Sequence, residues 1–477
     1  MKTLPPEIWL SVLDAVPRKE LRRCLSVCGV WHDKVIKRIF HTVHLYFGVW
    51  PEEYGSGAAS FVCRSHEILA YISSNPSFAS TIENIVIHSC SNRLGIFEAT
   101  LSTALENLPQ LLSFEWHSSD YLPITEDILG VLFTSCPQLR HLGLPNLRAG
   151  HVYEAFKQLQ SISMTRSDYK AQDFASKTFS SVVNSDTFNK TGLRRIQLSH
   201  WSLHVAPGVG SPFTHLQELI FTSTDDTDPG DLESILQHTA HLESLELHDI
   251  REMDIGSLLG YLVQSLPSLT SLMLSGYIFD PFPGDFENIR AFIKSHSHMK
   301  RLCINIPIEW KYIDIFMPAI HGMTQLEALG LIGITMNDEG DIIPSTTEDF
   351  TSAIESIPRS IQALMLGTML SSHERLIQDL STLPSLEFLH ILKSLDDIDA
   401  TEYSLPSPQV LAHKIPHLAM IGLGDDICDV IHGSDGKTEL YHWTLFKRRT
   451  RVSGDFDMAH AGWLLCNHDF VLSNEGF

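Results

Sequence analysis

Apolar residues in this chain recur in one phrase, apolar-x-x-apolar-x-apolar, and that recurrence limits the fold more than any other feature. It reads Ile82-Ile85-Ile87, Leu111-Phe114-Trp116 and Leu139-Leu142-Leu144, then Leu193-Ile196-Leu198, Leu216-Leu219-Phe221 and Leu242-Leu245-Leu247. Leu269-Leu272-Leu274, Met299-Leu302-Ile304 and Leu326-Leu329-Leu331 follow. The series closes with Ile361-Leu364-Leu366, Leu386-Leu389-Ile391 and Leu418-Ile421-Leu423. A weaker copy, Leu159-Ile162-Met164, would split the gap of 54 residues between Leu139 and Leu193. The second and third apolar positions lie two apart, so a short strand carries both on one face. Amphipathic segments at 231–239, 255–265, 286–295, 348–356 and 374–381 lie between the phrases and are expected to be helical, with Asp231 and Ser372 suited to N-caps. A unit of strand, loop and helix cannot bury its own leucines and must stack on the next one.

Successive phrases from Leu193 to Leu326 begin 23, 26, 27, 30 and 27 residues apart. This pattern resembles leucine-rich repeats, whose period is about 20–29 residues. The resemblance implies an α/β fold: a curved leucine-rich-repeat-like solenoid with parallel strands inside and helices outside. One departure from the family is plain. The asparagine or cysteine that usually follows the third leucine is missing from most copies, as in Leu247-His248-Asp249, so a less regular array is expected.

Ahead of the repeats lies a different pattern. Pro5 and Pro6 suit the first turn of a helix. Ile8, Trp9, Val12, Leu13 and Val16 then mark one helical face, Leu21, Cys24, Leu25 and Cys28 a second, and Trp31, Val35 and Ile39 a third. Three helices in about 40 residues cannot bury all of these side chains among themselves. Either the segment caps the open end of the array, or it offers apolar surface to another polypeptide. The order Leu4-Pro5-x-Glu7, a helix, Pro17, Leu21 and then Val27-Cys28-x-x-Trp31 resembles the F-box, with Glu20 standing where an Asp commonly precedes the leucine. That resemblance implies a three-helix F-box that docks on a Skp adaptor, and through it on a cullin. Leu4, Pro5, Ile8, Leu13, Leu21 and Val27 would contribute to that contact, while Glu7, Val16, Cys28 and Trp31 hold the segment together.

The expected organisation is an F-box at 1–45, a linker helix region at 46–75, the repeat array at 76–425 and a C-terminal cap at 426–477. The net charge of −23 argues against broad nucleic-acid binding. It is uneven: residues 1–45 hold eight Lys/Arg against four acids, +4, which leaves −27 for the remainder. Eight scattered cysteines read as buried or free thiols of a reducing compartment. Pro5, Pro6, Glu7 and Asp14 interrupt any signal-peptide core, and no uninterrupted apolar run of about 18 residues occurs. Cytoplasm or nucleus is therefore the expected location, with no membrane partner.

Acidic clusters follow several phrases, among them Asp225, Asp226, Asp396 and Asp397. They are either solvated loops or one rim that favours basic substrates. The basic run Lys447-Arg448-Arg449 has a possible import role. Metalloprotease, hydrolase-elbow, phosphate-loop and zinc spacings are missing, so no cofactor or metal and no catalysis are expected. The functional expectation is the substrate-recognition subunit of a Skp–cullin–F-box ubiquitin ligase with an unidentified protein client. An interaction scaffold without ligase coupling would use the same fold.

Overall fold

The computed structural model describes residues 29–50, 57–90, 95–118, 124–144, 159–165, 192–199, 213–222, 229–250, 255–276, 283–336, 342–343, 353–367, 374–392, 406–424, 426–433, 437–444, 447–448 and 458–466, with 16, 21, 24 and 456. The architecture is α/β, and the chain divides into two compact units, Met1–Leu198 and Ser199–Phe477.

In the first unit, helix α1 (Gly29–Phe40) leads with one intervening residue into strand β1 (Thr42–Gly48). Helices α2 (Gly57–Ser74) and α3 (Pro76–Ala79) precede β2 (Asn84–Cys90), and α4 (Gly95–Leu105) precedes β3 (Ser113–Ser118). Helix α5 (Glu126–Ser135), β4 (His141–Leu144), β5 (Ser161–Thr165) and β6 (Arg195–Ser199) follow. Strands β1 to β5 are parallel and share one register, Val43↔Ile85↔Phe114↔Leu142↔Ile162. The weaker phrase at Leu159 is thus a full member of the sheet. Another member escapes the leucine pattern: β1 carries Val43, Leu45 and Phe47 inward, all buried, so the sheet begins within the segment assigned to the F-box rather than at 76. Phe40 stands where a leucine would open the phrase, and the helical stripe before it masks the change of period.

The second unit continues with β7 (Glu218–Thr222), α6 (Pro229–Leu236), β8 (Ser244–Ile250), α7 (Ile255–Leu262) and β9 (Ser271–Gly276). Next come α8 (Pro283–Ser295), β10 (Arg301–Glu309), α9 (Trp310–His321), β11 (Ala328–Met336) and the short antiparallel β12 (Ile342–Ile343). Then β13 (Ala363–Gly367), α10 (Glu374–Leu380), β14 (Phe388–Leu392), α11 (Pro408–Lys414) and β15 (Met420–Leu423) complete the parallel series. The middle apolar residue keeps register throughout, Leu219↔Leu245↔Leu272↔Leu302↔Leu329↔Leu364↔Leu389↔Ile421. Helix α6 starts at Pro229, so Asp231 lies in its first turn and is not the cap. Ser372 lies outside the described residues.

Backbone groups tie the parallel strands together at their starts. At the start of most of the parallel strands, two consecutive N–H groups donate to one carbonyl just ahead of the neighbouring strand. Leu112 and Ser113 donate to Glu83 at 2.7 and 3.1 Å, Thr270 and Ser271 to Glu243 at 2.8 and 3.0 Å, and Glu387 and Phe388 to Gln362 at 2.8 and 3.0 Å. The first leucine of many phrases also donates to the carbonyl three residues earlier, as Leu242 does to Thr239 at 2.9 Å, which closes the preceding helix. Register therefore rests on main chain and on buried leucines.

After β15 the direction reverses. Strands β16 (Asp426–His432) and β17 (Thr438–His442) add in antiparallel fashion and end the parallel edge. Helix α12 (Ala459–Cys466) does not extend that cap as expected; it runs back against β11 and β13. Its apolar residues find their burial there.

Candidate functional site: the second face of the sheet

The leucine phrases occupy one face of each strand. The residues between them, at period two, form the other face, and there the two units differ.

In the second unit that face is buried. Met273, Cys303, Ala328, Met365, Phe388 and Met420 pack with Trp443, Phe456, Trp463, Leu464 and Leu465 of the C-terminal segment. Trp463 donates its indole N–H to Glu246 Oε1 at 2.8 Å, and Arg301 lies 5.8 Å from the ring centroid. Glu246 is 1% exposed, so this hydrogen bond serves a carboxylate that water scarcely reaches. His460 Nε2 lies 3.3 Å from Glu327. A segment more than 200 residues away along the chain thus occupies the surface where a repeat array could receive a ligand.

In the first unit the same face is polar and only half covered. Register places Tyr46, His88 and His117 in one row and His44, Val86, Glu115 and Gly143 in the next. In-register parallel strands lie about 4.8 Å apart, so rings within a row stack, and His44 of the next row stacks on His88 diagonally. The His44 and His88 centroids are 5.7 Å apart with planes 7° from parallel. His88 and His117 are 5.4 Å apart at 18°, and Tyr46 lies 5.1 Å from His88 at 12°. Glu115 receives His117 Nε2 at 3.3 Å on one oxygen and His141 Nε2 at 3.0 Å on the other. Burial alone pushes the Glu115 carboxyl up, but these two imidazoles outweigh it and hold the group well below the usual carboxylate range. Burial, then the neighbouring imidazoles of His117 and His44, pull His88 well below the ordinary imidazole value against the opposing charge of Glu115. The row can stack planar groups and accept hydrogen bonds. Buried thiols offer no nucleophile: Cys136 is pushed up to about 12 and Cys428 to about 11, both chiefly by burial. No group of three or more His, Cys, Asp or Glu suited to a metal ion occurs among the described residues.

The site residues expected from sequence fall largely elsewhere. Leu4, Pro5, Glu7, Ile8, Leu13, Val27 and Cys28 lie outside the described residues, as do Asp225, Asp226, Asp396 and Asp397. Trp31 belongs to α1. Leu21 belongs to the expected docking set, yet it is 4% exposed, packed with Val35 and flanked by Val16, Cys24 and Ile39. Its apolar surface is already withdrawn from water in the free chain. In the basic run, Lys447 lies 3.6 Å over the Trp443 ring and 3.4 Å from Asp429, and Arg448 lies 3.9 Å from Asp426. The imidazole row is not among the sequence expectations. Its signal is the Glu-x-His that follows the middle apolar residue in two phrases, Glu115-Trp116-His117 and Glu246-Leu247-His248.

No known protein-family profile matches the chain, and no curated protein matches it. Among solved structures, the Rad7–Elc1 complex of yeast includes a chain of which 90% is covered by 84% of this one, at 12% identity and a TM-score of 0.37. The leucine-rich repeat-containing protein LegL7 of Legionella pneumophila is matched over 98% of its length and 91% of this chain, at 11% identity and a TM-score of 0.28. A Bacteroides fragilis protein is matched over 73% of its length and 54% of this chain, at 13% identity and a TM-score of 0.33.

Proposed function

We propose that this chain is the substrate receptor of a Skp–cullin–F-box ubiquitin ligase, with the N-terminal segment docking on the Skp adaptor and the repeat sheet holding a protein client. One observation carries the reading: the order Leu4-Pro5-x-Glu7 to Val27-Cys28-x-x-Trp31 within the first 31 residues. The +4 charge of residues 1–45 also suits an acidic partner. Helix α1 ends at Phe40 and β1 begins at Thr42, so the docking segment passes into the sheet almost without a linker. A receptor needs such a joint, because transfer depends on a client held at a fixed position and orientation. Catalysis belongs to the conjugating enzyme that the cullin brings, and the chain itself works without cofactor in cytoplasm or nucleus.

The test is capture of a purified Skp adaptor by the full chain. Wild type binds, and Leu4→Asp combined with Ile8→Asp abolishes capture while the thermal melt stays unchanged. A wild-type chain that captures no adaptor leaves an interaction scaffold without ligase coupling. The acidic rim is tested by charge reversal at Asp225, Asp226, Asp396 and Asp397 together, which is expected to weaken capture of basic clients.

A further inference from the structure

The chain places a tryptophan on the carboxylate of one of its own repeats, and a second repeat carries the same Glu-x-His sequence. Glu246 and Glu115 occupy the same place in the phrase, between the middle and last apolar residues. Each is followed two residues later by a histidine that approaches its carboxylate, His248 at 3.6 Å and His117 at 3.3 Å. On Glu246 the second oxygen takes the indole N–H of Trp463 from a helix lying on the sheet. On Glu115 the second oxygen takes His141 from the neighbouring strand. An ionised carboxylate accepts about four hydrogen bonds, so Glu115 retains acceptor capacity, and its side chain is 28% exposed. His117 beside it is 45% exposed. Gly143 on the next strand contributes no side chain at the Glu115 position of the register. The part-exposed imidazole of His117, backed by His88, offers an indole a ring to pack against.

We propose that the second face of the first unit, centred on Glu115 and His117, is the client-binding surface, and that its occupant is a peptide helix presenting a tryptophan, the indole N–H directed to Glu115. The inference rests on the receptor reading above and names the client chemistry. The anionic acceptor matches a donor, and Trp463 on Glu246 is the same chemistry realised inside the molecule.

The probe is a labelled peptide with the sequence of residues 457–466, Cys466 replaced by serine, titrated into the full chain and read by fluorescence anisotropy. Wild type binds it. Glu115→Ala weakens binding at least tenfold, and a peptide carrying Trp463→Phe loses a similar factor. The two losses are not additive, because they remove the same hydrogen bond. Glu115→Gln keeps the shape and an acceptor oxygen and binds with intermediate strength, which separates a lost contact from a misfolded chain. Absence of binding overturns the proposal. So does binding that survives Glu115→Ala and falls with Glu246→Ala, since the peptide has then displaced α12. A dimer formed by exchange of α12, seen by light scattering, likewise overturns it. Adaptor capture is measured in parallel: an adaptor-bound chain that ignores the peptide refutes this inference alone, and peptide binding without adaptor capture refutes only the ligase reading.

Discussion

The two units share a backbone ladder and a leucine face, yet their second faces have opposite character. In β8 and its neighbours that face is buried under the protein's own C-terminal helix; in β1 to β4 it is a half-exposed row of imidazoles around a carboxylate. The difference shows that the phrase residues carry the fold, while the residues between them decide whether the second face is apolar and covered or polar and accessible. Only the latter change when a repeat passes from a covered to an accessible environment.

The largest expected effect comes from removing the cover. Trp463→Ala deletes a buried ring, leaves Glu246 without its indole donor and takes the ring from Arg301. A loss of about 3–5 kcal/mol is expected for a buried aromatic, read by urea unfolding. A loss below about 1 kcal/mol would mean that α12 is a loose appendage, and the contrast between the faces would disappear.

Glycines facing the two surfaces sharpen the comparison. A methyl at Gly330 would stand 2.5 Å from Cys303 Sγ and 3.0 Å from Met365 Cε, within the covered cluster. Gly330→Ala is therefore expected to destabilise by about 1–3 kcal/mol through overpacking. At Gly143 the nearest atom is Glu115 Cγ at 3.1 Å, part of a half-exposed flexible side chain that can give way. Gly143→Ala should be near neutral in stability and should weaken peptide binding. Equal destabilisation at both glycines, measured side by side, would argue that the first unit's face is as closed as the second's.

Carboxylate removal follows the same logic with smaller steps. Glu246→Ala leaves a buried indole N–H unpaired, which costs about 1–3 kcal/mol. Glu115→Ala frees two imidazoles that water can reach, so the change in unfolding free energy should be the smaller of the two.

The leucine face was legible because its period is local. Every phrase residue from Ile82 to Ile421 is at most 3% exposed, and Leu423, beside the reversal into β16, is the half-buried exception. Strand β1 was not legible, since Phe40 opens its phrase and a helical stripe runs directly into it. Helix α9 contains Pro318, which argues against a helix in sequence, yet its other face is held by the buried Ile313, Phe316, Met317 and Ile320. The candidate site was hidden for a different reason. The cluster of Glu115, His88 and His44 spans two rows and three strands, and the Trp463 to Glu246 pair joins residues 217 apart. No local periodicity reports such neighbours; aligning the x positions as carefully as the leucines would have revealed the two Glu-x-His copies.

The smallest effect is in the pH dependence, where the imidazole row should betray itself. His88 is buried, stacked between His44 and His117 and against Tyr46, with Glu115 as the neighbouring anion. Its folded value lies below the ordinary value of about 6.5. As pH falls through that value the unfolded chain takes up a proton that the folded chain resists, so stability declines, by at most about 1.4 kcal/mol per pH unit for one proton. Glu115 acts in a lower window: its contribution is present above the usual carboxyl value of about 4.3 and is lost only as pH falls through its depressed folded value. His88→Asn should therefore flatten the stability profile just below about pH 6.5 and leave the decline at lower pH in place. His460 in the second unit is also held below the ordinary value, by burial and then by Arg301, against Glu327 and Glu387. His296, also in the second unit, is held below the ordinary value chiefly by burial as well, so a profile that stays equally steep in the His88→Asn chain would assign the effect to His460 and His296, reversing which unit senses protons.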